Sequence, residues 1–234
     1  TNVPWQIKFS GNKMFVVQGG RWASQYQRPG YVMMYENGIW TNLDPSVIKE
    51  QTGKYPLDFM NVAVDPSDNS HFFVSSYGIG LYEFKNNTFS KWYTNLNSTL
   101  ETIVPESPLD YIRLDGAVYD KDGNLLVVNM NVNAAIKVLM KDGTWKQLTY
   151  PHASKPTLGK IMISKLNPNQ KWIPSIRYDP GLLIYDDNGT IADQTDDKSV
   201  YFSAFVYPET DNGQTYNVSV SPAFVFETVE DKNN

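Results

Sequence analysis

The chain has 234 residues, enough for one large domain or two small ones, and its 14% aromatic content rules out a disordered composition. Zero cysteines exclude a disulfide-stapled miniprotein, a thiolate nucleophile and cysteine-ligated zinc. A net charge of −5, with Lys and Arg scattered and never in runs, argues against nucleic acid and anionic membrane as partners.

Thr1-Asn2-Val3-Pro4-Trp5 opens the chain with neither the basic start nor the apolar run of a signal peptide, so an exported protein would have lost its signal already. No apolar stretch approaches the ~20 residues of a membrane span. An alternating run at 5–9 then turns at Ser10-Gly11-Asn12 into a more uniformly apolar run at 14–17. A long polar loop follows, then a third strand at 31–35, the tight turn Asn37-Gly38, and Trp40 and Leu43 on an outer fourth strand. The same order returns in the second unit: 61–64, a turn at 66–69, the apolar run 72–74, a strand at 80–84, the turn Asn86-Asn87, then Trp92 and Leu96. A third copy runs through 117–119, Lys121-Asp122-Gly123, 125–128, 136–140 and Asp142-Gly143 to Trp145 and Leu148. The fourth has 161–163, Asn167-Pro168-Asn169, Trp172-Ile173, 181–185, Asn188-Gly189 and Ile191 in place of tryptophan.

The third-to-fourth turns end at residues 38, 87, 143 and 189, a period of about fifty. Four short antiparallel strands per period is the signature of a β-propeller blade, in which each twisted sheet covers its neighbour around an axis. The fold class expected is therefore all-β, a β-propeller of about four complete four-stranded blades plus part of a fifth; the alternative is a sandwich or barrel. Units fall at approximately 4–58, 59–114, 115–158 and 159–210, with a partial unit at 211–234. Helical signals are almost absent. In the remainder, 200–206 and 223–227 read as strands, which leaves the last unit incomplete and suggests a fragment of a larger propeller. Pro174 conflicts with a central strand unless a bulge receives it.

Residues 71–84 (HFFVSSYGIGLYEF), 115–125 (DGAVYDKDGNL) and Asp142-Gly143-Thr144-Trp145 resemble the two-component-regulator propellers of Bacteroidetes, and most of all the PorZ-type propeller proteins of the type IX secretion system. The likeness runs from about residue 5 to the end and rests on structural positions. Family members carry a Trp-containing second strand followed by Gly-Thr, where this chain has Leu125-Leu126-Val127 and Phe72-Phe73-Val74. The resemblance implies an exported, periplasmic or cell-surface module. One branch handles cargo bearing an anionic lipopolysaccharide; the other senses glycans ahead of a kinase. Both roles are binding roles. A propeller glycosidase or lyase and a plain scaffold are the rivals.

Loops joining second to third strands emerge on one propeller face. The first is long and carries Arg21, Trp22, Tyr26 and Arg28, two guanidinium forks and two rings suited to an acidic sugar. The corresponding loops add Ser76 and Tyr77, Asn129 and Asn131, then Arg177 and Tyr178. The candidate ligand-binding set is thus Arg21, Trp22, Tyr26, Arg28, Tyr77, Asn131, Arg177 and Tyr178, for a glycan or anionic polysaccharide or a protein partner. The competing reading pairs Arg21 and Arg28 with nearby carboxylates and packs Trp22 into its loop. Trp40, Trp92 and Trp145 recur in register and read as packing between blades. Asp120-Asp122-Asn124 lacks the spacing of a calcium loop and reads as a hairpin turn; the acidic stretch at 186–197 reads as a solvated loop. His71 and His152, the only histidines, read as exposed. No catalytic residue, metal or cofactor is expected.

Overall fold

A computed structural model describes residues 4–153 and 157–231. Four antiparallel units follow one another. The first comprises β1 (Gln6–Ser10), β2 (Lys13–Val17), β3 (Val32–Glu36) and β4 (Ile39–Leu43), paired in that order. The second comprises β5 (Phe59–Asp65), β6 (Asp68–Gly78), β7 (Gly80–Lys85) and β8 (Thr88–Tyr93). The third is β9 (Ile112–Tyr119), β10 (Leu125–Asn129), β11 (Ile136–Leu139) and β12 (Trp145–Leu148). The fourth is β13 (Met162–Ile163), β14 (Gln170–Ser175), β15 (Gly181–Asp186) and β16 (Lys198–Phe202). β2 is the most buried strand of the first unit and β10 is wholly buried, as an apolar run covered on both faces must be, whereas in the second unit β5 and β7 are more completely buried than β6, whose first four residues lie outside the core.

The turns carry the backbone that their residues promise. Asn37-Gly38 and Asn188-Gly189 adopt positive φ at both positions, 51° and 83° in the first, 49° and 85° in the second. Phe15, Val17, Val32 and Met34 of the first unit pack against Val62, Phe72, Val74 and Tyr82 of the second, each sheet closing one face of the next. A second cluster joins the second and third units through Phe73, Leu81, Leu114 and Val127, and a third joins the third and fourth through Leu126, Val138, Ile173 and Leu183. At one point backbone pairing itself crosses between units: β6 outruns β5 and pairs with β9 at Tyr77↔Arg113 and Gly78↔Ile112.

The innermost strands run the same way along the axis and are laced together by side chains. The Val62 amide donates to the Gln6 carboxamide oxygen at 2.8 Å, and the Ala117 amide donates to the Asn61 carboxamide oxygen at 3.0 Å. Gly116 continues the row, and a Cβ there would sit 2.4 Å from the Lys160 Cα. Lys160 in turn pairs with Glu227 at 3.2 Å.

Several expectations are corrected. A helix, α1 (Pro45–Thr52), stands between the first two units: Asp44 accepts from the Ser46 amide at 2.8 Å, Pro45 opens the first turn, Gly53 closes it at φ 77°, and Ile48 is buried. The outer strand of the fourth unit is β16, not a segment beginning at Ile191; Ile191 is buried in the β15–β16 loop, where Asn188 donates to Asp196 at 2.6 Å. The expected strand at 200–206 is split, because β16 ends at Phe202 and β17 (Phe205–Asp211) pairs only with β18 (Gln214–Val220) in a separate, exposed hairpin turning at Asn212-Gly213. Residues 223–227 are not a strand, although the Val225 amide donates to the Ile176 carbonyl at 3.2 Å and Glu230 accepts from the Ser164 hydroxyl at 2.7 Å. Leu96 lies beyond β8 and is exposed. Of the three tryptophans, Trp145 meets Tyr93 of the preceding unit edge-on at 5.5 Å. Trp92 stacks within its own unit on Tyr82, and Trp40 is 53% exposed beside Tyr35. Pro174 keeps an unbroken register with β15; its carbonyl accepts from Gly159, so its nitrogen faces the inner-strand side. There the pairing slips by one residue between Met162↔Trp172 and Leu158↔Ser175.

His71 is not a plain surface residue. Its Nδ1 lies 3.0 Å from Asp65 Oδ2 and its Nε2 2.9 Å from Glu83 Oε1, while the Tyr93 hydroxyl donates to Glu83 at 3.1 Å and Lys85 pairs with it at 3.0 Å. Burial pulls both carboxylates up, but hydrogen bonds from Ser67 and His71 to Asp65, and from His71, Lys85 and Tyr93 to Glu83, outweigh it and hold both below the ordinary range. A depressed folded pKa contributes stability above the unfolded value, near ~4, which is lost as pH falls through the folded value. Wild-type melting temperature should therefore fall from about pH 4 downward, and His71→Ala should flatten that decline. Superimposable Tm–pH curves for the two proteins would remove His71 from this role.

Candidate functional site

The β2–β3 type loops and the connections between units share one end of the molecule, opposite the tight turns. The long first loop, 18–31, folds over that end with a short 3-10 turn at Ala23–Gln25. Gly19 and Gly20 permit this, since a Cβ at Gly19 would fall 2.2 Å from the Phe59 carbonyl oxygen.

Arg21, the first of the predicted binders, is instead interior. Its side chain is 4% exposed, with Nη1 3.1 Å from Asp115 Oδ2 of the third unit and Nη2 donating to the Leu158 carbonyl at 3.2 Å. Its fork is occupied by the protein, and by a carboxylate far along the chain, not a local one. Burial raises the Asp115 carboxyl above the ordinary value, with Arg21 opposing. Arg28 is also engaged, donating to the Gly19 carbonyl at 2.7 Å.

Tyr26 stacks on Tyr77, centroids 5.7 Å apart and planes at 17°. Arg113, absent from the predicted set, places its guanidinium 5.4 Å from the Tyr77 ring and 5.9 Å from the Tyr111 ring. These residues line a cleft of about 460 Å³ with Asp58 and Asp110. Asp58 accepts from the Gln27 and Arg28 amides at 2.9 Å each and tethers the loop to the second unit; burial raises its carboxyl, against those two bonds. Asp110 is paired with Lys54. Burial likewise pushes the Tyr77 hydroxyl up, so it stays a neutral donor and acceptor at neutral pH.

A second group forms from three predicted residues. The Arg177 guanidinium lies 4.3 Å from the Trp22 ring and 4.7 Å from the Tyr178 ring, and Phe226 meets Trp22 edge-on at 6.5 Å. Its Nε is buried without a partner. Neither Arg113 nor Arg177 has a carboxylate at ion-pair distance among the described residues. Asn131 is exposed at φ 63° and joins neither group, while Asn129 is buried, accepting from the Glu101 amide at 2.7 Å. Ser76 donates to the Leu57 carbonyl at 2.6 Å. Tyr111 and Arg113 escaped sequence reasoning because they lie at the last residue of a connection between units and the entrance of β9; the Tyr-x-Arg pair there was the available signal.

No sequence-family model matches the chain, and no curated protein does. Among solved structures it is similar to PorZ of Porphyromonas gingivalis, an essential bacterial surface component of the type-IX secretion system, with a TM-score of 0.78 and 28% identity over 88% of this chain. The chain spans 28% of the length of that PorZ structure. A streptogramin B lyase matches with TM-score 0.54 and 14% identity over 90% of this chain and 56% of its own. The extracellular domain assigned to the hybrid two-component system BT3049 of B. thetaiotaomicron matches with TM-score 0.53 and 13% identity over 93% of this chain and 27% of its own. At that identity the last two share the fold alone. The chain is a β-propeller whose likeness to PorZ covers most of its length, as its blade residues led one to expect.

Proposed function

We propose that this chain is a non-catalytic, ligand-binding propeller of an exported bacterial surface protein, taking an acidic glycan at the loop end of the propeller. The supporting observation is the pair of guanidinium groups, Arg113 and Arg177, each held between aromatic rings and neither neutralised by a carboxylate among the described residues. A stacked guanidinium keeps its in-plane N–H groups free for a sugar carboxylate or phosphate, while Tyr26, Tyr111 and Tyr178, all exposed, offer faces to pyranose rings. Surface or periplasmic placement accords with the likeness to PorZ, and no helix among the described residues is long and apolar enough to cross a membrane. The lyase that shares the fold brings no residue assignment with it, because the likeness is one of architecture.

Binding of an acidic oligosaccharide, measured by calorimetry, should weaken about tenfold in each of Arg113→Ala and Arg177→Ala, roughly 1.4 kcal/mol apiece. Tyr26→Ala should act in the same direction. Equal affinities across these variants, with Tm unchanged, would refute the site. Turnover of the glycan, abolished by one carboxylate substitution, would replace the binding role with an enzymatic one.

A further inference from the structure

At the opposite end the central channel holds a second set of polar groups that the cleft does not use. A cavity of about 330 Å³ is lined by Gln6 and Lys8 of β1, Asn61 of β5, Lys160 just before β13, and Glu227 and Thr228 of the terminal segment. The lacing between inner strands decides which way the two carboxamides point. A backbone amide is a donor only, so the atom receiving Val62 must be the Gln6 oxygen, and the atom receiving Ala117 must be the Asn61 oxygen. Each NH₂ group is thereby left over. Neither has a hydrogen-bond partner among the described residues and neither is sealed away from solvent, although Asn61 as a whole is only 5% exposed, so both open onto the cavity.

The remaining lining completes the pattern. Lys8 has no carboxylate at ion-pair distance among the described residues, whereas Lys160 and Glu227 neutralise each other at 3.2 Å. One positive charge is therefore uncompensated among these six residues. The Thr228 hydroxyl is buried without a hydrogen-bond partner, a costly condition unless something in the cavity satisfies it. Two amide donors and one ammonium line the cavity, with the unpartnered Thr228 hydroxyl in its wall, and the only negative charge among these residues, Glu227, is already paired. Asp115, one residue nearer the loop end than Gly116, is tied to Arg21, so that carboxylate is withdrawn from the cavity.

We infer that the channel binds a small oxyanion, a phosphate or a carboxylate group, through Gln6, Lys8, Asn61 and Thr228. This site is separate from the glycan cleft and does not rest on it. The group binds as a ligand and no covalent step is involved. Thermal unfolding of the intact chain, with inorganic phosphate, sodium glucuronate or sodium chloride added at matched ionic strength, tests the assignment.

Phosphate, glucuronate or both should raise Tm in a saturable way that chloride does not. Asn61→Asp keeps the oxygen that receives Ala117 but replaces the donor with a second oxygen, and should abolish the shift. Lys8→Gln alters an exposed side chain without touching the lacing, so it should fold normally and weaken the apparent affinity at least fivefold. Arg113→Ala should leave the shift intact, which separates this site from the cleft. Wild-type Tm responding to phosphate and glucuronate no more than to chloride overturns the inference, and so does a Lys8→Gln protein that responds as wild type does.

Discussion

Arg21→Ala should destabilise the protein by about 3–5 kcal/mol, the usual result of removing one member of a buried ion pair. For a chain of this size that corresponds to a fall in Tm of about 10 °C. The loss is large because of what stays behind: Asp115 is 3% exposed, and its Oδ1 already lacks a partner. Without the guanidinium at 3.1 Å the buried carboxylate loses its ion-pair partner and keeps only the more distant pull of Lys160. Leu158 would also lose a donor to its carbonyl. The double variant Arg21→Met/Asp115→Leu should recover most of the stability, since apolar groups of similar volume often match a buried pair. Calorimetric melting of both proteins decides it. An Arg21→Ala protein within 1 kcal/mol of wild type would mean that the bridge carries no weight, because surface changes commonly fall in that range.

Gly116→Ala is expected to cost about 3 kcal/mol, at the upper end of the overpacking range. The added Cβ would lie 2.4 Å from the Lys160 Cα and 2.6 Å from the Ile161 nitrogen. Both are main-chain atoms, so no rotamer change relieves the clash; the inner strands of the third and fourth units must separate. Gly78→Ala supplies the comparison, because a Cβ there meets nothing within 4 Å. It should lie within about 0.5 kcal/mol of wild type. Equal denaturant midpoints for the two variants would show that the inner strands yield easily.

The blades were legible because the chemistry that makes them is local. Asn37-Gly38 or Asp142-Gly143 between β-rich runs specifies a hairpin through backbone conformation alone, and the apolar runs 14–17 of β2 and 125–128 of β10 declare their burial. The helix α1 was also written locally, in Asp44-Pro45 before and Gly53 after, but its few buried residues gave too weak a periodicity to stand out among strands. β16 was misplaced because, after the Asn188-Gly189 turn, the chain runs on through a loop held by Asp187, Asp193 and Asp196 contacts before β16 begins at Lys198. The placement of five of the eight expected residues was legible in the same manner: Trp22, Tyr26, Tyr77, Arg177 and Tyr178 do gather at the loop end. The fate of Arg21 was not, because its partner Asp115 and its acceptor Leu158 lie in later units, and no local pattern relates them. Arg113 was hidden for the complementary reason: it looks ordinary until β6 and β9 meet.

That meeting of β6 and β9 has a bearing on recognition. Tyr77 and Arg113, the centre of the cleft, are opposite each other in one hydrogen-bonded ladder, while the units that carry them are otherwise separate sheets. The two residues are therefore set side by side by main-chain bonds, and their ring and guanidinium already lie 5.4 Å apart before any guest arrives. A visitor to this cleft need not spend its interaction energy on immobilising two independent plates, and its affinity should reflect mainly the contacts it makes. Association should accordingly proceed as docking into a ready-made mould, with a rate set by encounter and little by rearrangement.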